Sequence, residues 1–574
     1  PNANVGDTGV VNGITYTKRT QIQINNNNAS TTCTSGITTL RQKFWGDFNF
    51  NGDISTWDVS NVTNMEQMFD GASSFNQNIG NWDVSNVWSM NLMFEEASSF
   101  NQDIGNWNVA NVFWMYSMFK GASSFNQDIG NWDVANVRAM RSMFEGVYSF
   151  NQDIGNWDVS YVSNMSKMFS GASSFNQDIG NWDVSNVTHM RSMFEEAISF
   201  NQEIGNWIVS NVYSMENMFE SATSFNQDIG NWEVSNVYDM NYMFQGASSF
   251  NQDIGNWDVS NVQRMHAMFK ENDSFNQNIG NWEVSNVIDM GHMFEAATSF
   301  NQDIGSWDVH NVHNMWAMFR WDNDFNQDLS NWQFNTTVNL EDFVSFSGLD
   351  VANYEVLLQT FDDQELLNKT LGADDLYYCD DTARTNLINN KGWTFVGDTY
   401  GLFVCVEDVF RGTDDIENTY TVLGDEFDPT DYCFETDFTM TNDYNNMPSL
   451  GGEVFTEGVY TINWTATDTN NDTATCSFVL TIDPELANEE FNLASIVLYP
   501  NPTNTIVKLS NPQAIDLESI SIYDLTGRLI KNVMLDSMGN EIEVDVSSFA
   551  NETYVVILKI TDKGSVSKQL VVIN

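Results

Sequence analysis

Carboxylates recur every 25 residues through the first half of the chain, at Asp53, Asp103, Asp128, Asp153 and Asp178 and on through Glu203 to Asp328, with Asn78 and Asn278 in the same column. Side-chain oxygens repeated in this way are the chemistry of a hard cation, so calcium is a candidate ligand for Asp103, Asp128, Asp153 and Asp178. The competing reading is a row of bare, hydrated acids. Like charges about 5 Å apart in water cost only about 0.8 kcal/mol per pair before screening, which a solvated face tolerates. A second oxygen set, Asp468, Asn470 and Asp472, has the alternate-residue spacing of a calcium loop. It lacks the rest of an EF-hand, so a metal-free hairpin turn competes with calcium there too.

Ring-bearing residues occupy the columns that the repeat leaves free: Trp88, Phe113, Trp114, Tyr116, Tyr213, Tyr238, Tyr242 and Trp316, among Arg138, Arg141, Lys167, Arg191 and Arg264. Aromatic and Arg side chains anchor interfaces, and sugars stack on ring faces, so these eight are the candidate ligand-binding residues. The simpler role is packing of each ring against the next turn. His266, His292 and His313 fall in three successive units and invite comparison with a transition-metal site, although surface histidines scattered over variable columns are the plainer expectation. No G-x-S-x-G, H-E-x-x-H or P-loop occurs, and the carboxylates are repeated where an enzyme places its acids once. No catalytic residue is expected.

The element that must position these columns is the repeat itself. From Ile37 to Phe346 a 25-residue unit runs without insertion, with Trp57, Trp82 and Trp107 continuing to Trp332 and Asn51, Asn76 and Asn101 continuing to Asn326. Such a period is the signature of a solenoid whose units bury a shared core. Within a unit Val62, Met65, Met68, Phe69 and Ala72 fall on one arc of a helix, with Asn61 as its N-cap and the position of Gly71 as its end. Phe75 to Ile79 alternates as one short strand, and the invariant Asn76 column reads as an amide ladder along the stack.

The string WDVSNVTNMEQMF from Trp57 to Phe69 resembles the repeat of the BspA-type leucine-rich repeat surface proteins. Gly13-Ile14-Thr15-Tyr16 and Cys33-Thr34-Ser35 look like that family's leader, and Leu371-Gly372-Ala373, Tyr378-Cys379 and Gly392-Trp393 like its terminal cap. The fold expected is therefore a right-handed, leucine-rich-repeat-like α/β solenoid with one short parallel strand and one helix per unit, followed by two all-β sandwich domains. The resemblance implies an extracellular protein used in adhesion, with an extracellular protein or glycan as partner.

Expected domains are a leader and cap at 1–36, the solenoid at 37–346, its C-terminal cap at 347–404, a β domain at 405–483, a linker at 484–497 and a tail at 498–574. WTATDTNNDTATCSF, from Trp464, resembles hyalin-repeat or immunoglobulin-like domains, with Cys476 expected to pair with Cys433 or Cys405. Cys33 and Cys379 complete the five cysteines, too few for a disulfide framework. In the tail, Tyr499-Pro500-Asn501-Pro502, then YDLTGR with Gly527 and Arg528, then a last strand bearing Lys568, resemble the C-terminal sorting domain of the type IX secretion system of Bacteroidota. That resemblance implies passage by way of the periplasm to the outer surface or medium, with the secretion machinery as a partner and cleavage between Asp483 and Asn492.

Charge narrows the partners further. Lys and Arg total 22 against 78 Asp and Glu, a net charge of −56, which repels nucleic acid and anionic membranes. No apolar run approaches the length of about 18 residues needed to span a bilayer. Pro1 begins no signal peptide, so a removed leader is expected. Two functions of different class fit: an adhesin that binds through the variable face of the array, or a surface-layer or matrix component without a specific ligand, cross-linked by divalent ions.

Overall fold

The structure, a computed structural model, describes residues 3–400 without a break and, beyond them, 406, 408–412, 419–429, 439–467, 473–483, 497–499, 506–510, 517–524, 529–534, 541–547, 549, 553–560 and 564–572. It divides into two units, Pro1–Tyr400 and Gly401–Asn574.

Every repeat buries the same side chains: around one turn, Val59, Val62, Met65, Met68, Phe69, Ala72, Phe75, Ile79, Trp82 and Val84 are all in the core. They sit at the corners of successive tight turns. The amide of Val62 donates to the carbonyl of Val59 (2.8 Å), Met68 to Met65 (3.1 Å), Ala72 to Phe69 (2.9 Å), Phe75 to Ala72 (2.9 Å) and Trp82 to Ile79 (3.1 Å). Each such turn returns residue i+3 to the inside. Apolar residues three apart are thus buried with no helix at all.

The amides between these corners bond to the neighbouring repeat. Those of Met65, Gln67, Phe69 and Gly71 donate to the carbonyls of Ser89, Asn91, Met93 and Glu95 at 3.0, 2.9, 2.9 and 2.7 Å, whereas an α-helix would spend them on its own i−4 carbonyls. Parallel bridges join Thr39 to Asn64, Asn64 to Ser89, Ser89 to Trp114 and so on to Asn339. Two positions per repeat are left-handed, one at Gln67, Leu92 and Ser117 (φ 55°, 58° and 52°) and one at Gly71, Glu96 and Gly121 (φ 74°, 56° and 69°). A left-handed residue inside the stretch interrupts any right-handed helix.

These features overturn the expected solenoid with one strand and one helix per unit. Equivalent rings of adjacent repeats lie 5.5 Å apart for Phe69 and Phe94, 5.8 Å for Phe75 and Phe100 and 6.4 Å for Trp82 and Trp107. A helix with its side chains is about 10–12 Å wide, so repeats stacked this closely at all three columns have no room for one. Phe75 to Ile79 forms no strand, and the bridged column lies instead at Asn64, inside the stretch expected to be helical. Nor does the Asn61 column cap a helix, since Asn86 Nδ2 donates to the Ser60 carbonyl of the preceding repeat (2.8 Å).

Polar ladders lock the stack. Each buried indole donates to a carbonyl one repeat back, as Trp107 Nε1 does to Ile79 O (3.1 Å). The Asn column does form a ladder, although not between side-chain amides of successive Asn residues: Asn76 Oδ1 accepts the backbone amide of Asn101 (3.0 Å) and Nε2 of Gln102 (2.9 Å).

Strands β1 (Thr8–Val11), β2 (Ile14–Lys18) and β3 (Thr32–Cys33) make a small sheet ahead of the first repeat, where Trp57 Nε1 reaches Ala29 O (3.0 Å). At the other end Leu340 bridges in parallel to Leu371. Among the described residues α-helices occur at this end alone: α1 (Val351–Asp363) and α2 (Thr382–Lys391), with β4 (Thr370–Gly372) paired to β6 (Thr394–Val396) and β5 (Tyr377–Tyr378) to β7 (Thr399–Tyr400). Asp350 caps α1 by accepting the Asn353 amide, and Tyr354, Leu357, Leu358 and Phe361 form its buried stripe. Trp393 Nε1 donates to Leu366 O (2.8 Å), repeating the indole ladder once more.

The second unit contains strands only, among the described residues. β8 (Val409–Arg411), β10 (Thr439–Asn442), β12 (Gly458–Thr467) and β13 (Thr473–Ile482) form one sheet, beside β9 (Thr419–Thr421) paired with β11 (Val454–Thr456), and share a core around Trp464 and Phe478. β14 (Val497–Tyr499), β15 (Ile506–Ser510) and β18 (Glu541–Asp545) form a second group with β16 (Leu517–Asp524), β17 (Leu529–Met534), β19 (Thr553–Ile560) and β20 (Gly564–Val571), packed around Ile520, Val556 and Leu558. Cys379 and Cys476 each take part in a disulfide and Cys33 is free, while Cys405, Cys433 and the expected cleavage segment 484–492 lie outside the described residues.

Candidate functional site

The columns that face outward are those beside the bridged residues. Thr63, Trp88, Phe113 and Arg138 follow one another in successive repeats, each amide donating to the carbonyl one repeat back, with 3.0 Å for Trp88 to Thr63, Phe113 to Trp88 and Arg138 to Phe113. Side chains on this edge are therefore set by backbone bonds and not by loops. Trp88, Phe113 and Trp114 are 43%, 39% and 41% exposed, large values for rings of this size. Tyr116 is half-buried, and its phenol is pushed up by burial and by the carboxylates of Glu66 and Glu95.

The eight sequence-chosen rings separate into two groups. Tyr213 stacks on Tyr238 (6.1 Å), Tyr242 meets His266 edge-on (5.2 Å), and His292 meets Trp316 edge-on (4.4 Å). Each of these rings contacts a ring of the neighbouring repeat. No ring among the described residues stacks on Trp88, Phe113, Trp114 or Tyr116, although exposure does not separate the two groups, since Tyr238 and Trp316 are 40% and 41% exposed. Beside it Arg41 pairs with Glu66 (3.1 Å), and the Arg138 guanidinium lies over the Tyr161 ring (4.3 Å).

His266 and His292 meet edge-on (5.2 Å), but each of the three histidines has its own polar partner. His266 Nδ1 lies 3.3 Å from Asp289, His292 Nδ1 2.6 Å from Glu295, and His313 bonds to Thr337. Asp103, Asp128, Asp153 and Asp178 each accept the amide of the glycine two residues on, at 2.9 to 3.0 Å, so each carboxylate closes its own turn. Among the described residues no group of three or more His, Cys, Asp or Glu is placed to hold a metal ion. Asp468, Asn470 and Asp472 lie outside the described residues, as do Pro500, Asn501, Pro502, Gly527 and Arg528. Tyr499 ends β14 and Lys568 lies within β20.

Exposed rings within the repeats that the sequence reading missed are Trp45, Phe48, Tyr148, Tyr161, Trp321 and Phe346. Trp321 and Phe346 stack at 6.2 Å, with Arg320 over the Trp321 ring at 3.9 Å. The signal was present as large residues in columns that elsewhere carry mostly Gly, Ser or Asn or, for Trp45, charged residues.

The repeats match the family described as Mycoplasma protein of unknown function, DUF285, over residues 14–128, 106–188, 176–273 and 249–357. The chain belongs to this family. Residues 497–573 match a secretion system C-terminal sorting domain, that of the type IX system, which makes the DUF285 chain a protein secreted to the cell surface and implies contact with the secretion machinery. Among the described residues no helix is long and apolar enough to cross a membrane. No curated protein matches the chain. Among solved structures, dimeric latent PorU from Porphyromonas gingivalis is 18% identical over 31% of this chain and 22% of its own, with a TM-score of 0.13. SGBP-B of the Bacteroides ovatus mixed-linkage glucan utilization locus, solved with a mixed-linkage heptasaccharide, is 10% identical over 31% of this chain and 44% of its own, with a TM-score of 0.10. The chain thus spans less than half of either, and neither superposition defines its fold.

Proposed function

We propose that this DUF285 protein is a non-catalytic binding scaffold of the cell surface, exported by way of the periplasm, and that it adheres to extracellular material through Trp88, Phe113, Trp114 and Tyr116. The observation that carries this is the exposure of about two-fifths of Trp88, Phe113 and Trp114 on a backbone-bonded edge with no other ring stacked on them among the described residues, when Tyr213 and Tyr238 further along the same edge pair with one another. Fixed rings lose little entropy on binding, and desolvated aromatics dominate most interfaces. The likeness of its repeat to BspA-type surface proteins supports the same role.

The test compares beads coated with the full chain and with a variant in which Phe113, Trp114 and Tyr116 are Ser, on panels of extracellular proteins and polysaccharides. The expected result is a folded variant that is no longer retained. Full retention of the variant would favour a structural surface-layer role for the stack.

A further inference from the structure

We infer that His266 and His292 form a two-histidine site for a divalent transition-metal ion of the zinc, nickel and copper class, with their Nε2 atoms as its ligands. The site is separate from the binding face proposed above, and neither depends on the other. The two residues come from adjacent repeats, His266 in the column of Glu66 and His292 in that of Gln67. Their ring centroids are 5.2 Å apart and the ring planes cross at 74°. Two imidazoles that share one tetrahedral ion, each nitrogen about 2.0–2.1 Å from it, have centroids about 5 Å apart. The pair thus already stands at the separation that a shared ion requires.

Both rings are also held in the tautomer that a metal needs. His266 Nδ1 lies 3.3 Å from Asp289 Oδ1, and His292 Nδ1 lies 2.6 Å from Glu295 Oε2. A neutral imidazole that donates its Nδ1 proton to a carboxylate carries its lone pair on Nε2, the arrangement found behind most metal-bound histidines. No group among the described residues bonds to Nε2 of either ring. The carboxylates are themselves fixed: Asp289 Oδ1 also accepts Asn314 Nδ2 (2.8 Å) and the Gly291 amide (3.0 Å), and Glu295 Oε2 pairs with Lys270 (2.7 Å). Gly291, next to His266 in the same column, leaves the room for this, since a Cβ there would lie 3.0 Å from His266 Nδ1. The two side chains are 20% and 14% exposed, so an ion can reach them, and two protein ligands leave coordination positions open to water. A nitrogen pair selects such an ion over calcium, whose ligands are oxygens.

The experiment is calorimetry of the full chain with zinc chloride in a non-coordinating buffer, joined to electron paramagnetic resonance of the chain with copper. One equivalent of zinc should bind, and an excess of calcium should not displace it. His266→Gln and His292→Gln, which keep a polar group against Asp289 and Glu295, should each weaken zinc binding by about tenfold or more, while His313→Gln should leave it unchanged. With one equivalent of copper the spectrum should show two equatorial imidazole nitrogens, and one in either single variant. Unaltered thermal melting of the metal-free variants keeps loss of a ligand separate from loss of fold; if a variant melts low, the copper spectrum of the unaltered chain decides alone. Absence of stoichiometric zinc binding, or fewer than two imidazole nitrogens on copper in the unaltered chain, overturns the site. Zinc binding that survives in the double variant also overturns it, by placing the ion on carboxylates instead.

Discussion

At the scale of single residues, the most exposed dependence on chemistry is in the alanine column of the core, where Asp322 stands in place of Ala72 and Ala97. It is fully buried, and neither carboxylate oxygen has a hydrogen-bond partner, although the amides of Asp324 and Phe325 approach them. Burial, and then the Asp324 carboxylate, push its acid well above the usual range. The neutral form is the one the fold favours, so this residue's contribution is greatest below the unfolded value near pH 4 and is lost as pH rises through the folded value. Asp322→Ala should therefore stabilise the stack at neutral pH by about 1–3 kcal/mol and by progressively less on acidification, as read from denaturant midpoints across pH. Trp132→Ala acts oppositely. It removes a ring stacked between Trp107 and Trp157 at 6.5 Å and an indole bond to Ile104 O, and should cost roughly 3–5 kcal/mol. Hydrogen exchange should show the loss first in the turns on either side; unchanged protection there would mean that the repeats do not depend on one another.

At the scale of the repeat, what matters is how closely one turn sits on the next. A Cβ added at Gly155 would lie 2.5 Å from the carbonyl oxygen of Asp178 in the next repeat, and only backbone movement could relieve it. At Gly171, φ is +69° but the added Cβ would meet Gly146 Cα at an ordinary 3.5 Å. Gly155→Ala should then cost about 3 kcal/mol, by forcing apart two turns. Gly171→Ala should cost about 1 kcal/mol, the left-handed penalty alone. Urea titration of the pair gives the order, and the reverse order would show the turns to be loosely spaced. The helix expected from Val62, Met65, Phe69 and Ala72 failed here for the same reason, since residues three apart meet either on a helix or at the corners of tight turns, and the periodicity is common to both.

At the scale of the whole chain, the sorting domain has its own core around Ile520, Val556 and Leu558 and shares no register with the repeats. Deletion of 498–574 should leave the repeats folded, with an unchanged melting transition for that part, and should abolish export from the native host. Normal secretion of the truncated chain would remove the tail's assigned role.

The repeat length, the identity of every core column, the Asn ladder, the ring-bearing edge and the sorting tail were legible in the sequence, because each is carried by residue type at fixed spacing. Which amides serve the chain's own turn and which serve its neighbour was not, because hydrogen bonds between repeats involve backbone groups that every residue carries alike. That choice excluded the helix and moved the bridged column from Phe75 to Asn64, and the carboxylates of the acidic column close their own turns. It also sorted the eight candidate rings: Tyr213 and Tyr238 face one another and Trp88 and Phe113 do not, a difference that depends on side-chain direction between repeats and that only the tertiary structure decides.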